Sequence, residues 1–168
     1  MSSQYFKTTY LEMTTPADLK SKTLPPELTV IECEEPQFEF NRFLYGLVGS
    51  KWEWGDLDDW SDEQWREVVE SDALRTWVAY YRGSVAGYYE LFKTEDDGTE
   101  IRYFGLAPTC IGKGFGGPLL SHAIRSAWNW RGTHRVWVHT CTFDHPSALS
   151  NYMARGMAVY REELTSID

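Results

Sequence analysis

The chain is 168 residues long, carries a formal net charge of −9, and is 42% hydrophobic, 24% charged and 15% aromatic. That length fits one domain with a substantial core, no apolar run reaches the ~20 residues of a membrane span, and the acidic balance disfavours nucleic acid while suiting a cationic partner. Cys33, Cys110 and Cys141 are odd in number and widely spaced, so neither a disulfide framework nor a zinc ligand set is expected. The first ten residues lack an apolar segment of signal-peptide type, and a cytoplasmic enzyme with no membrane partner is the expectation.

Residues 1–27 contain Pro16, Pro25 and Pro26, which break any long element. They read as a lead-in segment packed on the body or on a partner, with the folded domain expected over 28–168. A strand is expected at 28–33. Pro36 suits a helix first turn, and Phe40, Phe43, Leu44, Leu47 and Val48 follow at helical spacing. Ser61 to Gln64 has the capping-box pattern, with Trp65, Val68 and Val69 as the buried side of a short helix. Residues 76–82 and 84–92 read as a hairpin turning at Gly83-Ser84. A turn at Asp96-Asp97-Gly98 then leads into a strand at 99–106. Phe115, Leu119, Leu120, Ala123, Ile124, Ala127 and Trp128 form one apolar helical stripe, with Pro118 harmless in the first turn. A strand at 135–143, a helix opened by Pro146 and closed by Gly156, and a strand at 157–164 complete the order β α α β β β α β α β.

The stretch 100–117, EIRYFGLAPTCIGKGFGG, carries the chemistry. It reads as a strand, a proline stop, and a glycine-rich turn opening a helix. Such turns let backbone N–H groups converge on a phosphate at the positive end of a helix dipole. From residue 101 to 143 there is no Asp or Glu, whereas Arg102, Lys113, Arg125, Arg131 and Arg135 fall inside. An acidic chain that clears acids from one window reads as a binder of a phosphate-bearing cofactor. Gly112 to Gly117 also matches the GxGxxG pattern of dinucleotide folds. That pattern wants the glycines directly after a strand and an acid about 20 residues on. Here Ala107-Pro108-Thr109-Cys110 intervenes and the next acid is Asp144, so this reading is set aside.

Read from Ile111, the loop resembles the Q/R-x-x-G-x-G/A pyrophosphate signature of the GCN5-related N-acetyltransferases, with Gly114 and Gly116 on the glycine positions and Ile111 in place of Gln or Arg. Leu106-Ala107-Pro108 is similar to the hydrophobic-x-Pro that ends their fourth strand. HPSALSNYMARGM, residues 145–157, is similar to their N-x-x-A-x-x-L-Y-x-x-x-G-F segment, with Ala148, Tyr152 and Gly156 in register and His145 where Asn contacts the pantetheine arm. The resemblance covers about residues 28–164. It implies a mixed α/β fold with a central splayed sheet of about six to seven strands flanked by four helices. It also implies acetyl-CoA as cosubstrate, with no metal, and contacts from Phe104, Gly105, Leu106, Ile111, Gly112, Lys113, Gly114, Phe115, Gly116 and His145.

By the same resemblance the Tyr152 hydroxyl faces the acetyl-CoA sulfur. A phenol of pKa near 10 stays protonated at neutral pH and can donate to a departing thiolate; the plainer reading is an amphipathic core residue. Glu100 lands where histone-type lysine acetyltransferases of this family carry their general base. A lysine-like amine has a pKa of about 10.4, so a base or an ordered water must take its proton. Glu90 and His139 compete for this role, and a solvated strand-end glutamate is the plainer alternative. A backbone N–H within 104–106 would polarise the carbonyl, with Gly105 permitting close approach of the thioester. Lys113 is either a phosphate contact or a solvated surface lysine. An acyl-cysteine route through Cys110 or Cys141 lacks a nearby acid to orient a catalytic histidine.

Residues 51–65, KWEWGDLDDWSDEQW, hold four of the eight tryptophans and six acids. They read either as core-completing tryptophans before a surface helix, or as a cover over the acceptor pocket that holds a cationic amine by cation–π and charge pairing. The expected activity is acetyl transfer from acetyl-CoA to a primary amine, on a small molecule, a lysine or an N-terminus, by direct attack. Another acyl or aminoacyl donor, and a CoA-binding regulatory module without catalysis, remain open alternatives. A homodimer is compatible with the sequence and not specified by it.

Overall fold

The computed structural model describes residues 4–52, 54–95 and 98–167. In chain order these form β1 (Gln4–Met13), β2 (Leu28–Glu32), α1 (Phe38–Gly49), α2 (Asp62–Val69), β3 (Leu74–Tyr81), β4 (Ser84–Thr94), β5 (Gly98–Leu106), α3 (Gly116–Asn129), β6 (Val136–Cys141), α4 (Ala148–Ala154) and β7 (Ala158–Ile167). The strands make one seven-stranded sheet in the order β2-β3-β4-β5-β6-β1-β7. Every neighbouring pair is antiparallel except β5 and β6. Among the described residues no helix is long and apolar enough to cross a membrane.

Local chemistry explains most elements. Ser61 and Gln64 exchange hydrogen bonds as a capping box and start α2. The β3–β4 hairpin turns on Arg82 and Gly83, both at positive φ, one position ahead of the expected Gly83-Ser84. Pro36 lies just before α1, whose N-cap is Gln37. Asp96 and Asp97 of the expected turn lie outside the described residues, and Gly98 opens β5.

The lead-in segment differs from expectation. Residues 4–13 form a full strand inside the sheet, paired on one side with β6 and on the other with β7, so the sheet shows no boundary at residue 27. The prolines that argued against a long element bound this strand from behind and never enter it. Residues 16–24 then run back along the body. The Lys20 N–H donates to the Arg155 carbonyl at 2.8 Å, and the Lys22 N–H to Ser121 Oγ at 2.8 Å. Gly156 ends α4 at φ +103°, and a Cβ there would collide with the Asp18 carbonyl. Glycine at that position serves both the helix stop and the close approach of this segment.

Two apolar layers flank the sheet. Leu119, Leu120, Ala123, Ile124 and Ala127 of α3 pack on Leu11, Met13, Leu91, Ile101 and Val136, all almost fully buried. On the other face, Tyr45, Leu44 and Val48 of α1 and Trp65 and Val69 of α2 cover Leu74, Val78 and Tyr88. One polar network crosses this second layer. Asn41 of α1 donates to Glu90 Oε1 at 2.8 Å and to Thr76 Oγ1 at 3.0 Å, tying α1 to β4 and β3. Burial pushes the Glu90 carboxyl up to about 7, against the pull of the Asn41 hydrogen bond and the Arg102 charge.

The β5–β6 pair is brief. Only Thr99–Val136 and Glu100–Trp137 are in register, and the strands then diverge. Just past this point β5 carries a bulge against β4. Glu90 pairs with Tyr103 and Leu91 with Ile101, so Arg102 has no partner across the ladder. A bulge bends and twists its strand, and this one turns the rest of β5 away from β6.

A stability prediction follows from Glu90. The unfolded chain releases this proton near pH 4.5 and the folded chain near 7, so stability contributed here falls as pH rises between those values. Glu90→Gln keeps a hydrogen-bond acceptor for Asn41 without the charge. It is expected to gain on the native chain as pH rises, by at most about 3 kcal/mol at about pH 8 and little near pH 4.5. Paired denaturant titrations at the two pH values measure this. A difference that does not change with pH overturns the proton-holding carboxyl.

Candidate active site

The divergence of β5 and β6 opens a cavity of about 1170 Å³ that runs from the glycine loop, through the gap, to the segment between α1 and α2. The two ends carry opposite charge.

At the first end, Gly112 and Gly114 have φ of +87° and +82°, and a Cβ at either would meet nothing within 4 Å. Their backbone faces open space because no side chain stands there. Ile111, Phe115 and Gly116 also line the cavity, although the Phe115 ring itself is buried against Tyr81. Phe115 is the N-cap of α3 and provides no side-chain cap, so the first-turn N–H groups keep their dipole end uncovered. Lys113 does not line the cavity, and its ammonium lies 5.4 Å over the Tyr81 ring. Two other cations stand at the α3 first turn. A Cβ on Gly117 would lie 2.8 Å from Lys22 Cδ and 3.5 Å from Arg155 Nη1. Arg155 is only 7% exposed, and its Nε has no hydrogen-bond partner among the described residues. Sequence reading passed over both residues. Arg155 sits inside the motif 145–157 next to its glycine, a signal that was present. Lys22 had none, because only the docked lead-in segment carries it to α3.

In the gap itself, Tyr152 is buried against Phe104, with ring centroids 6.3 Å apart. Burial, and then the charge of Asp144, hold its phenol well above the ordinary value, so it keeps its proton. The Ala107 N–H donates to Ala86 of β4 at 2.7 Å. N–H directions alternate along a strand, so those of Leu106 and Phe104 face the open side that β6 has left. Gly105 lines the cavity, and a Cβ there would collide with Val48 of α1 while lying at ordinary contact distance from Trp54, so the missing side chain makes room for α1.

At the second end, Glu100 stands at the last β5–β6 pair, 7% exposed. Its Oε1 accepts from Arg102 Nε at 3.1 Å, and its Oε2 lies 3.8 Å from His139 Nε2. Arg102 also stacks its guanidinium 3.7 Å above the Phe92 ring. Glu90 lines the same space from the next strand. The segment 51–65 borders it as well, through Trp52, Trp54, Asp56, Leu57, Trp60 and Trp65; Glu53 lies outside the described residues. Asp56 accepts from the Tyr45 hydroxyl at 2.8 Å and the Tyr103 hydroxyl at 2.7 Å. Asp144 accepts from Trp54 Nε1 at 3.1 Å, from the Cys141 N–H at 3.1 Å and from the Thr140 hydroxyl. His145 packs its ring edge on Trp52 at 4.8 Å and accepts the Ser147 N–H. Two ties therefore cross the cleft, Trp54–Asp144 and Trp52–His145, joining the α1–α2 segment to the loop after β6.

Burial raises Cys141, which keeps it protonated, and Cys110 is enclosed in the core. Among the described residues no group of His, Cys, Asp and Glu is arranged to hold a metal ion.

Comparison with solved structures bears on the fold. A GCN5-related N-acetyltransferase from Sphaerobacter thermophilus matches with a TM-score of 0.69 at 14% identity, covering 98% of this chain and 53% of that one. One from Kribbella flavida matches at 0.69 and 16% identity, covering 95% and 57%. An aminoglycoside acetyltransferase from an uncultured soil metagenomic sample, solved with trehalose, matches at 0.63 and 16% identity, covering 77% and 87%. The chain thus spans little more than half the length of the Sphaerobacter and Kribbella proteins. No curated protein matches it. The family model for the GNAT acetyltransferases matches residues 31–157, from β2 through the end of the Tyr152 segment, and with the splayed sheet around the glycine loop this chain belongs to the GNAT acetyltransferase family.

Proposed function

We propose that this chain transfers an acetyl group from acetyl-CoA to a primary amine by direct attack of the amine. The observation that carries the reading is the continuous cavity through the β5–β6 gap, with backbone N–H groups and two cations at one end and carboxylates at the other. When bound, acetyl-CoA supplies a thioester carbonyl for the amine to attack and a thiol that leaves. The residues present fit it. Gly112, Gly114 and the first turn of α3 offer N–H groups to a pyrophosphate. Arg155, with a buried Nε lacking a partner among the described residues, and Lys22 supply the charge that the sequence had assigned to Lys113.

The chain's own groups then have separable tasks. The Leu106 and Phe104 N–H groups polarise the carbonyl oxygen from the open side of β5. Tyr152, neutral and buried, gives its proton to the sulfur as it leaves. Glu100, at the apex of the gap, takes a proton from the amine through a water. Glu90 is a second reading for that step. A carboxyl held near 7 is better matched to a proton acceptor at neutral pH than one fixed beside Arg102.

Arg155→Gln is expected to weaken acetyl-CoA binding by about tenfold or more in calorimetry, as loss of a buried charged donor should. Lys113→Ala, whose ammonium rests on Tyr81, is the comparison. Equal losses in both would overturn the placement of Arg155.

Tyr152→Phe is expected to lower kcat by roughly 10²–10⁴-fold with little change in acetyl-CoA affinity, because the hydroxyl acts only as charge develops on sulfur. A native rate returns Tyr152 to packing. Binding of acetyl-CoA with no turnover on any amine would favour the non-catalytic reading, and turnover only with other thioesters would reassign the donor.

The base is read from pH profiles of Glu100→Gln and Glu90→Gln measured side by side. The variant lacking the base loses rate near neutrality and regains part of it as rising pH frees the amine. If Glu100→Gln keeps the profile and Glu90→Gln loses it, the base is Glu90.

A further inference from the structure

We infer that the acceptor carries a second positive charge besides the amine that is acetylated, and that Asp56 holds that charge at the aromatic mouth of the cavity. This rests on the transfer reaction proposed above and adds the class of its acceptor.

The acceptor half of the cavity is lined by four carboxylates, Asp56, Glu90, Glu100 and Asp144. Against them stand Arg102, already bonded to Glu100, and the half-exposed His139. Among the described residues the other three carboxylates are held by neutral donors only. Asn41 serves Glu90, Trp54 and the Thr140–Cys141 corner serve Asp144, and Tyr45 and Tyr103 serve Asp56. Neutral donors orient a carboxylate without cancelling its charge. Glu90 is charged only in part near neutrality and Glu100 is paired with Arg102, so it is Asp56 and Asp144 that keep a negative field which one ammonium would not balance.

Position separates the tasks. Tyr103 stands on β5 directly opposite Glu90, and its hydroxyl reaches Asp56. Asp56 thus lies a full tyrosine side chain above the sheet, while the reacting carbonyl must lie beside the Phe104 and Leu106 N–H groups. Chemistry separates them as well. A carboxylate that pairs with an ammonium stabilises its protonated form, which is wrong for a nucleophile and right for an anchor. The surroundings suit a cation. Trp54 packs 5.3 Å from Tyr103 and 5.7 Å from Tyr45, and Trp60 lies edge-on to Trp65 at 5.4 Å. Trp54, Trp60 and Tyr103 line the cavity and are only partly buried, so they present ring surface to an organic cation beside the fixed carboxylate. Alkyl diamines and amino sugars share this chemistry.

The test compares butylamine, diaminobutane and a disaccharide bearing two amino groups, in steady-state kinetics and in calorimetry with the CoA-loaded protein. Either doubly charged acceptor should exceed butylamine in kcat/KM by about tenfold or more, through KM, and the advantage should shrink with added salt. Asp56→Asn should bring the ratio close to one and abolish the extra calorimetric affinity. Tyr103→Phe keeps the ring but removes the hydroxyl that orients Asp56 and should lower the ratio partway, so it carries the test if Asp56→Asn fails to fold. The two doubly charged probes tell a flexible chain from a sugar ring. A native ratio near one, or a ratio that Asp56→Asn leaves intact, overturns the inference. Failure of the transfer reaction itself looks different, since no amine would then consume acetyl-CoA while the calorimetric arm still reports on Asp56.

Discussion

Two neighbouring strands that run parallel and stay together for only two residue pairs determine most of what this molecule can do. β5 leaves β6 after Glu100 because the bulge at Arg102 turns it, and β4 keeps hold of it as far as Leu106. The separation has a cost, since strand N–H and C=O groups facing the gap lose a ladder partner. It also frees the Leu106 and Phe104 N–H groups, admits Tyr152 from α4 to the gap, and leaves Glu100 at its apex. Had β5 and β6 paired along their length, the cavity, the free donors and the carboxylate at its closed end would all be absent.

The opposed charges at the two ends are built with different means. The donor end relies on backbone and helix dipole, reinforced by Lys22 and Arg155, neither of which has an acidic partner among the described residues. The acceptor end relies on Glu100, paired with Arg102, and on three further carboxylates fixed by neutral donors from four elements. Glu90 shows what this costs, because its burial favours the protonated form and charging it works against the fold. Native proteins accept such groups where a site needs them. The cross-cleft contacts Trp54–Asp144 and Trp52–His145 hold the halves in register, so residues far apart in sequence face one space.

What the sequence makes legible is what contiguous residues determine. The glycine loop, the apolar stripe of α3 and the Ser61 capping box are each written in one short contiguous stretch, and each appears where its pattern lies. The Tyr152 segment is legible through its motif register, and the tryptophan- and acid-rich stretch does border the cavity. The rest depends on distance. β1 has no hairpin partner to mark it, since its pairing residues lie more than 120 positions away. Lys113 falls inside the right loop but turns to Tyr81, while Lys22 and Arg155 arrive from elsewhere. Nothing near Gly105 in the sequence announces that Val48 of α1 packs against it.

The placement of β1 has a consequence for biosynthesis. Residues 4–13 are made early, yet the strands they pair with are the last two in the sequence. At ordinary elongation rates β1 therefore waits roughly six to twenty-five seconds on the ribosome before either partner emerges. Through that interval a strand rich in tyrosine, phenylalanine and threonine has open edges on both sides. The sheet from β2 to β5 can assemble meanwhile with α1 and α2, whereas β6, the wall bearing His139 and Cys141, joins β1 and β5 only after it has emerged. Maturation of the reactive gap therefore waits on β6, and chains that stop short of it present half a cavity.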